Sequence, residues 1–365
     1  MNAQLFYLGL THHSAPLAIR ENVRPDHEKQ RTMLSRLANI AEGRMVLSTC
    51  ERFEVYATTA HTGIADWVGL LSHWFHLPVG LLERHVRTNL GSAVARHLLR
   101  VAAGLESRIL GEAQILGQVR DAFLQATQSR SLDADLSALG RAAIRTGKRV
   151  RTETSINSGA RSIATIAVEH IARASEPLRD RAVLILGSGK LAAVVGAELA
   201  LRRAGRIVVV GRNVDRAAAL AQQFGGVSLG MDQLAVAVAE TDAVIACTSS
   251  PFHLVDASTI GRNRVRPLCL VDLSVPRNID PTVTQLSGVS LTDLEELPAG
   301  QSAREEGIAA AERIVQEELG RYNAWREERR VAPQIAQLIR EARAGDADKR
   351  ALHERIVRLK AGVAA

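Results

Sequence analysis

Two short stretches carry residues whose types and spacing can do chemistry. In VLSTCERFEVY, Val46 to Tyr56, Cys50 stands where one apolar-alternating run ends and the next begins. A cysteine kept only for packing belongs inside a strand or helix. At a strand end a thiol is free to act as a nucleophile; Arg52 can support its thiolate and Thr49 adds a hydroxyl. In VLILGSGKLAAVVGAELA, Gly187, Gly189 and Ala192 fall in G-x-G-x-x-A order between a strand-like run and an Ala-rich helical one. The first glycine allows the tight turn and the second lets backbone approach a pyrophosphate. The small third residue packs the helix onto the strand, and the helix N-terminus attracts the phosphates. Gly187, Ser188, Gly189, Lys190, Leu191 and Ala192 are therefore the candidate dinucleotide loop.

An NAD site presents Asp or Glu at the end of the second strand to accept from the ribose 2′-hydroxyl. Here that strand, RIVVVGRN, ends in Gly211, Arg212 and Asn213, with Arg216 one helical turn on. A guanidinium suits a 2′-phosphate and cannot accept from a hydroxyl, so the expected cofactor is NADPH, with Arg212 on its phosphate. A reducing cofactor beside a thiol implies acyl or aldehyde chemistry, in which a thioester is reduced by hydride.

The elements that must position these residues fall into three regions. Residues 4 to 90 alternate strand-like LFYLGLTH, RMVLSTC, FEVYATT and HVRTN with the helical HEKQRTMLSRLANIA and ADWVGLLSHWF, the order of a ferredoxin-like α+β unit. From Gly91 to about Ser175 the pattern is helical. From Arg181 to about Leu297, AVLILG, RIVVVG, DAVIACT and PLCLVDL read as four buried parallel strands of a doubly wound, Rossmann-type domain. A helix is expected from Ala303 to Glu328 and a second after Pro333. The expected fold is multi-domain α/β. It has a ferredoxin-like catalytic domain with its helical extension over 1–155, an NADP-binding domain with a leading spine helix over 156–300, and a helical dimerisation arm over 301–365.

Three cysteines, an odd count, argue against a disulfide framework and for a reducing, cytoplasmic setting. Cys247 and Cys269 lie in apolar strands and read as small buried hydrophobes. No run of apolar residues is long enough to span a membrane, and the start lacks the pattern of a secretory signal. His12 and His13 have no companions at ligand spacing, so no metal is expected. The net charge of +7 fits an anionic partner. Arg141, Arg145, Lys148 and Arg149 share one helix face, either a solvated basic face or a track for nucleic-acid phosphates.

LSTCERFEVY resembles the active-site segment of glutamyl-tRNA reductases. GLTHHSAPLAIRE, RHLLRVAAGLESRILGEAQILGQVRDA, GKRVRTETSINSGARSIATIAVE, DLSVPRNIDP, LTDLEEL and IVQEELGRYNAW resemble the same family in the same order. The resemblance implies reduction of L-glutamyl-tRNA(Glu) by NADPH to glutamate-1-semialdehyde, the first step of tetrapyrrole synthesis from glutamate. It makes Cys50 the nucleophile that takes the glutamyl group as a thioester. It gives His97 a role in orienting the ester or shuttling a proton, where the residues alone read as a satisfied, partly buried histidine. Thr49, Cys50, Glu51 and Arg52 would hold the glutamyl part, with Ser107, Glu112, Ala113, Gln114 and Gln118 completing the substrate site. It also implies a homodimer, and a handover of the reactive aldehyde to the aminomutase that uses it next.

The chain departs from the family pattern in three places. Glu51 replaces the usual Asn; it either raises the thiol pKa or, by strand alternation, points harmlessly away. The nucleotide loop lacks the usual acidic residue and final glycine. Members commonly run several tens of residues further through the dimerisation region. Two other functions compete: a non-catalytic relative that binds charged tRNA or nucleotide, and an NADP-dependent dehydrogenase of a small free acid, which leaves residues 5 to 175 unexplained.

Overall fold

The computed structural model describes residues 3–112, 114–157, 162–174, 177–261, 264–298, 305–344 and 349–361. Ala113, the 158–161 part of one resembling segment, and the expected helix start at Ala303 lie outside the described residues.

The first unit is a four-stranded antiparallel sheet in the order β2-β3-β1-β4, built from β1 (Gln4–Thr11), β2 (Gly43–Ser48), β3 (Arg52–Thr59) and β4 (Arg87–Leu90). That order and the all-antiparallel pairing are ferredoxin-like, as the strand pattern predicts. Helices α1 (Leu17–Arg20), α2 (His27–Arg36), α3 (Ile64–Phe75) and α4 (Val79–His85) accompany it. The helical extension consists of α5 (Ser92–Ala102), α6 (Gln114–Gln128) and α7 (Ala134–Glu153). These two helical layers cover opposite faces, so β1 and β3 are buried along almost their whole length. Phe6, Leu8, Leu10, Phe53 and Val55 pack toward Met33, Leu34 and Trp67. Leu5, Tyr7 and Tyr56 pack toward Leu98, Val119 and Leu139. Alternation along β3 therefore sends Arg52, Glu54 and Tyr56 to one face, under α5.

After α8 (Ile163–Ala174) comes a six-stranded parallel sheet. In chain order its elements are β5 (Ala182–Leu186), α9 (Lys190–Leu201), β6 (Arg206–Val210), α10 (Val214–Gln223) and β7 (Val227–Leu229). Then follow α11 (Leu234–Glu240), β8 (Ala243–Ala246), α12 (Ala257–Ile260), β9 (Leu268–Asp272) and β10 (Val289–Asp293). The sheet order β10-β9-β8-β5-β6-β7 reverses between β5 and β8, the crevice where a doubly wound sheet binds nucleotide. Sequence periodicity predicts only the four inner strands. The edge strands β7 and β10 are short and half polar, VSL and VSLTD, and escape an apolar-run criterion.

Helix α13 (Glu305–Ala344) is continuous through Pro333, and α14 (Lys349–Ala361) follows. The expected break at Pro333 does not occur. The proline is exposed, so water can serve the carbonyl that loses its ladder bond. Ala311, Ile314, Val315 and Tyr322 of α13 join the core of the first unit. The basic face of α7 is not a free phosphate track, because α13 neutralises half of it. Arg145 and Arg149 meet the buried Glu318 at 2.7 and 3.0 Å, and Arg149 also pairs with Glu153 and Glu317. Among the described residues no helix is long and apolar enough to cross a membrane.

Candidate active site

Cys50 sits at the tip of the hairpin joining β2 and β3. Ser48 pairs with Phe53, and the Thr49 amide donates to the Arg52 carbonyl at 2.8 Å, closing a turn with Cys50 and Glu51 at its centre. Thr49 Oγ1 accepts from the Glu51 amide at 3.1 Å, a local bond that commits the hydroxyl to the turn. The tip is anchored from both sides. His12 N donates to the Glu51 carbonyl at 2.9 Å, and the buried Arg20 donates Nη1 to the Cys50 carbonyl at 2.6 Å. A strand ends at this cysteine so that its thiol leaves the sheet on a rigid turn.

Burial pushes the Cys50 thiol up to about 12; Glu51 and Glu112 push the same way, and Arg24 and then Arg20 oppose them. Of the two readings of Glu51, the structure supports the raising one. Its carboxylate stays beside the tip, 3.9 Å from His12 Nδ1 and accepting from the Arg108 amide at 3.3 Å. Glu112 is lifted to about 7 by burial and then by Glu51. His12 is lowered to about 3 by burial, then by His13 and the cations around it, so it is neutral at physiological pH. Removing the Glu51 charge lowers the thiol pKa, so Glu51→Gln should move the acid limb of thiol alkylation to lower pH. At neutral pH the alkylation rate should rise several-fold, staying under about tenfold because a less basic thiolate is a weaker nucleophile. Iodoacetamide rates against pH measure it; an unmoved limb would detach Glu51 from the thiol.

Arg52 and His97 are gathered elsewhere, around a residue that motif reading misses. Glu54 is fully buried and accepts from Arg52 Nη1 at 3.1 Å, Tyr56 at 2.6 Å and Tyr7 at 3.3 Å, with His97 Nε2 at 3.1 Å. The His97 ring also packs 4.4 Å from the Tyr7 ring. Burial alone would raise the Glu54 carboxyl; Arg52, His97 and the tyrosine bond more than offset it and hold the group down at about 2. Arg52 spends Nη2 on the Glu106 carbonyl, and its Nε is buried without a partner. The guanidinium fork that the resemblance gives to a substrate carboxylate is thus occupied inside the protein. The available sequence signal was two charges and a tyrosine at i, i+2 and i+4 in a strand with both faces buried.

One cavity of about 480 Å³ brings the hairpin tip and the nucleotide loop together. Thr49, Cys50, Gln114, Gln118 and Arg24 form one wall; Gly187, Ser188, Gly189, Lys190 and Leu191 form the facing one, with Arg212 and Arg216 beyond. Arg52, His97, Ser107, Glu51 and Glu112 do not line it. Ser107 is buried in the α5–α6 connection, and Ala192 is fully buried against the sheet as a packing residue. The half-buried Cys247 follows β8 and lines this cavity too, unlike the buried Cys269. Ion pairs hold the two walls together: Arg20 to Glu295 at 2.8 Å and Arg277 to Glu21 at 2.6 Å, while Arg108 Nη2 donates to the Leu297 carbonyl at 2.6 Å.

The loop fits a dinucleotide. Gly187 has φ 128°, and a Cβ there would lie 2.8 Å from the Cys247 carbonyl oxygen, so backbone and packing both demand glycine. A Cβ on Gly189 would meet nothing within 4 Å, which leaves open the space a pyrophosphate needs above the α9 N-terminus. Arg212 and Arg216 are exposed beyond β6, where an adenosine 2′-phosphate lies in this fold.

Fold and cavity define a nicotinamide-dependent oxidoreductase whose nucleotide loop faces a cysteine. Residues 8–154 match the N-terminal domain of glutamyl-tRNAGlu reductase, and residues 169–299 match shikimate/quinate 5-dehydrogenase. The glutamyl-tRNA reductase of Pelotomaculum thermopropionicum is 35% identical over 346 residues, covering 92% of this chain and 78% of that protein. That of Trichlorobacter lovleyi is 34% identical over 352 residues, covering 92% and 80%. The glutamyl-tRNA reductase structure from Methanopyrus kandleri is 30% identical, covering 98% of this chain and 88% of that one, with a TM-score of 0.49. The chain belongs to the glutamyl-tRNA reductase family.

Proposed function

We propose that the chain reduces the glutamyl group of L-glutamyl-tRNA(Glu) to glutamate-1-semialdehyde with NADPH, the entry to tetrapyrrole synthesis from glutamate. The observation that carries this reading is the shared cavity, in which the hairpin-tip thiol and the dinucleotide loop face each other. The Cys50 thiolate attacks the ester carbonyl; the sulfur–carbon bond forms, and the terminal ribose oxygen leaves and takes a proton. NADPH, when bound, supplies the hydride that turns the resulting thioester into aldehyde and returns the thiolate. Arg24 and Arg20 stabilise that thiolate at both stages. Gln114 and Gln118, one turn apart on α6, present amides to the bound glutamyl group. Glu112 and Ser107 belong to the substrate segment from behind the wall, where Glu112 acts on the Cys50 thiol, while Arg52 and His97 act there through Glu54 by fixing the hairpin. Ala113 belongs to the same substrate segment.

Boundaries near 155 and 300 separate catalytic, cofactor and helical parts, and α13 with α14 form a homodimer arm. Light scattering at micromolar concentration tests the dimer. A handover of the aldehyde to the next enzyme, an aminomutase, follows from the product's reactivity.

Single-turnover reaction with glutamate-labelled glutamyl-tRNA tests the function. Without NADPH, label should attach to the protein and be released by hydroxylamine; with NADPH it should leave as semialdehyde. Bound tRNA with neither labelled protein nor aldehyde would favour the non-catalytic relative. For the cofactor, Arg212→Ala should reduce the preference for NADPH over NADH, read as the ratio of kcat/KM values, by about tenfold or more, the worth of one charge-assisted phosphate bond. An unchanged ratio would remove Arg212 from the 2′-phosphate site.

A further inference from the structure

A second cavity, of about 600 Å³, lies between α2 and α6 and is floored by the end of β2. It meets the first along Ser48 and Gln118, which line both. Its walls carry His27 and Arg31 from α2, and Asp121 and Gln125 from α6. Asp121 is 3.7 Å from Arg120 and so is partly neutralised. Arg31 is exposed and has no hydrogen-bond or ion-pair partner among the described residues. Among the described residues the Gln125 side chain makes one bond, a 3.4 Å contact from Nε2 to the His27 carbonyl, which leaves its amide oxygen to accept. The floor is an edge strand, so its outer backbone groups at Val46 to Ser48 have no sheet partner.

The ester that Cys50 attacks is joined to a ribose, and the RNA behind that ribose must leave the first cavity. On one side the cavity is built for the dinucleotide by Gly187 to Leu191 and Arg212. The continuation through Ser48 and Gln118 has the other composition: side-chain amides, the edge of β2 at the half-buried Ser48, and an unpaired guanidinium. Amides and backbone edges read unstacked bases, and a lone guanidinium takes a phosphate. A space of this size admits nucleotides of a single strand and no duplex.

We propose that the groove between α2 and α6 holds the 3′-terminal nucleotides of the tRNA that carries the glutamyl group. Arg31 takes a terminal phosphate, and Gln125 faces a base edge. The inference rests on the function proposed above and adds the path of the RNA to it.

Two measurements decide it. Uncharged tRNA with a photoreactive adenosine at its 3′ end should crosslink wild-type protein within residues 27–36 or 114–128. Arg31→Glu and Gln125→Ala, both at solvent-accessible helix positions, should each raise KM for glutamyl-tRNA about tenfold, with kcat within about twofold and KM for NADPH unchanged. The salt slope of tRNA binding should also fall by about one for Arg31→Ala. Crosslinks confined to the nucleotide domain or α7, or unchanged KM in both variants, would overturn the groove while leaving the reductase reading intact. If the wild type makes no aldehyde, the reductase reading fails on its own, and the crosslink position still decides where the RNA end lies.

Discussion

Cys50→Ser should bind glutamyl-tRNA and NADPH as the wild type does and form semialdehyde at least about a thousandfold more slowly. The turn that carries residue 50 is closed by backbone, from the Thr49 amide to the Arg52 carbonyl, and the carbonyl of residue 50 is held by Arg20. Neither bond uses the sulfur, so the hairpin and both ligand walls survive the exchange. What is lost is the nucleophile, since a serine hydroxyl is far less acidic than a thiol and cannot replace a thiolate. The informative partner is Cys247→Ala. Cys247 lines the same cavity, and burial, then Asp272, pushes its thiol to about 12 as well. No cation opposes that rise as Arg24 and Arg20 do at Cys50. Cys247→Ala should therefore keep rates within a few-fold, the cost of a small packing change. Aldehyde formation by Cys50→Ser above a tenth of the wild-type rate, or loss of the acyl-enzyme in Cys247→Ala, would reassign the nucleophile.

What the sequence yields here depends on whether a signal is local. The dinucleotide loop is legible because one strand, one turn and one helix carry all of it, and the sign of Arg212 is readable at the end of the next strand. The ferredoxin-like order is legible from alternation, and the hairpin tip from the break between two runs. The role of Arg52 is not. Its proximity to Cys50 in sequence makes it a natural thiolate partner, yet strand alternation turns it to the face under α5, where Glu54 and Glu106 claim it. The cations that do oppose the thiol's rise, Arg24 and Arg20, come from α1 and the segment before α2, some thirty residues earlier. Likewise, Arg145 and Arg149 read as free charge on α7 until a helix from the far end of the chain brings Glu318 to them. The thiol's cations and Glu318 come from distant segments, which no local spacing encodes, whereas Glu54 stands two residues from Arg52 and claims it only because that face of β3 is buried.

Glu54 carries the largest stability effect to be expected from a single side chain near the site. Its carboxylate is the common acceptor for Arg52, Tyr7 and Tyr56 and touches His97, so one removal leaves several buried groups unserved. Breaking a buried ion pair from one side costs about 3–5 kcal/mol, because the surviving charge stays desolvated. Glu54→Leu should accordingly lower Tm by on the order of 10 °C. Glu54→Gln, which keeps an acceptor oxygen but no charge, should cost less. The pH dependence gives the sign. A carboxyl held at about 2 against an ordinary 4.5 contributes stability that is fully present above pH 4.5 and lost as the pH falls toward 2. The urea midpoints of wild type and Glu54→Gln should therefore differ most at neutral pH and converge through that window. The site feels the same loss, since Arg52 also forms the end of the Cys50 turn. Below its melting point Glu54→Gln should reduce kcat about tenfold with KM for NADPH unchanged, the pattern of a residue that positions the hairpin rather than the cofactor. A Glu54→Gln protein that melts with the wild type at every pH would mean that the cluster holds no charge worth pairing, and the hairpin would need another anchor.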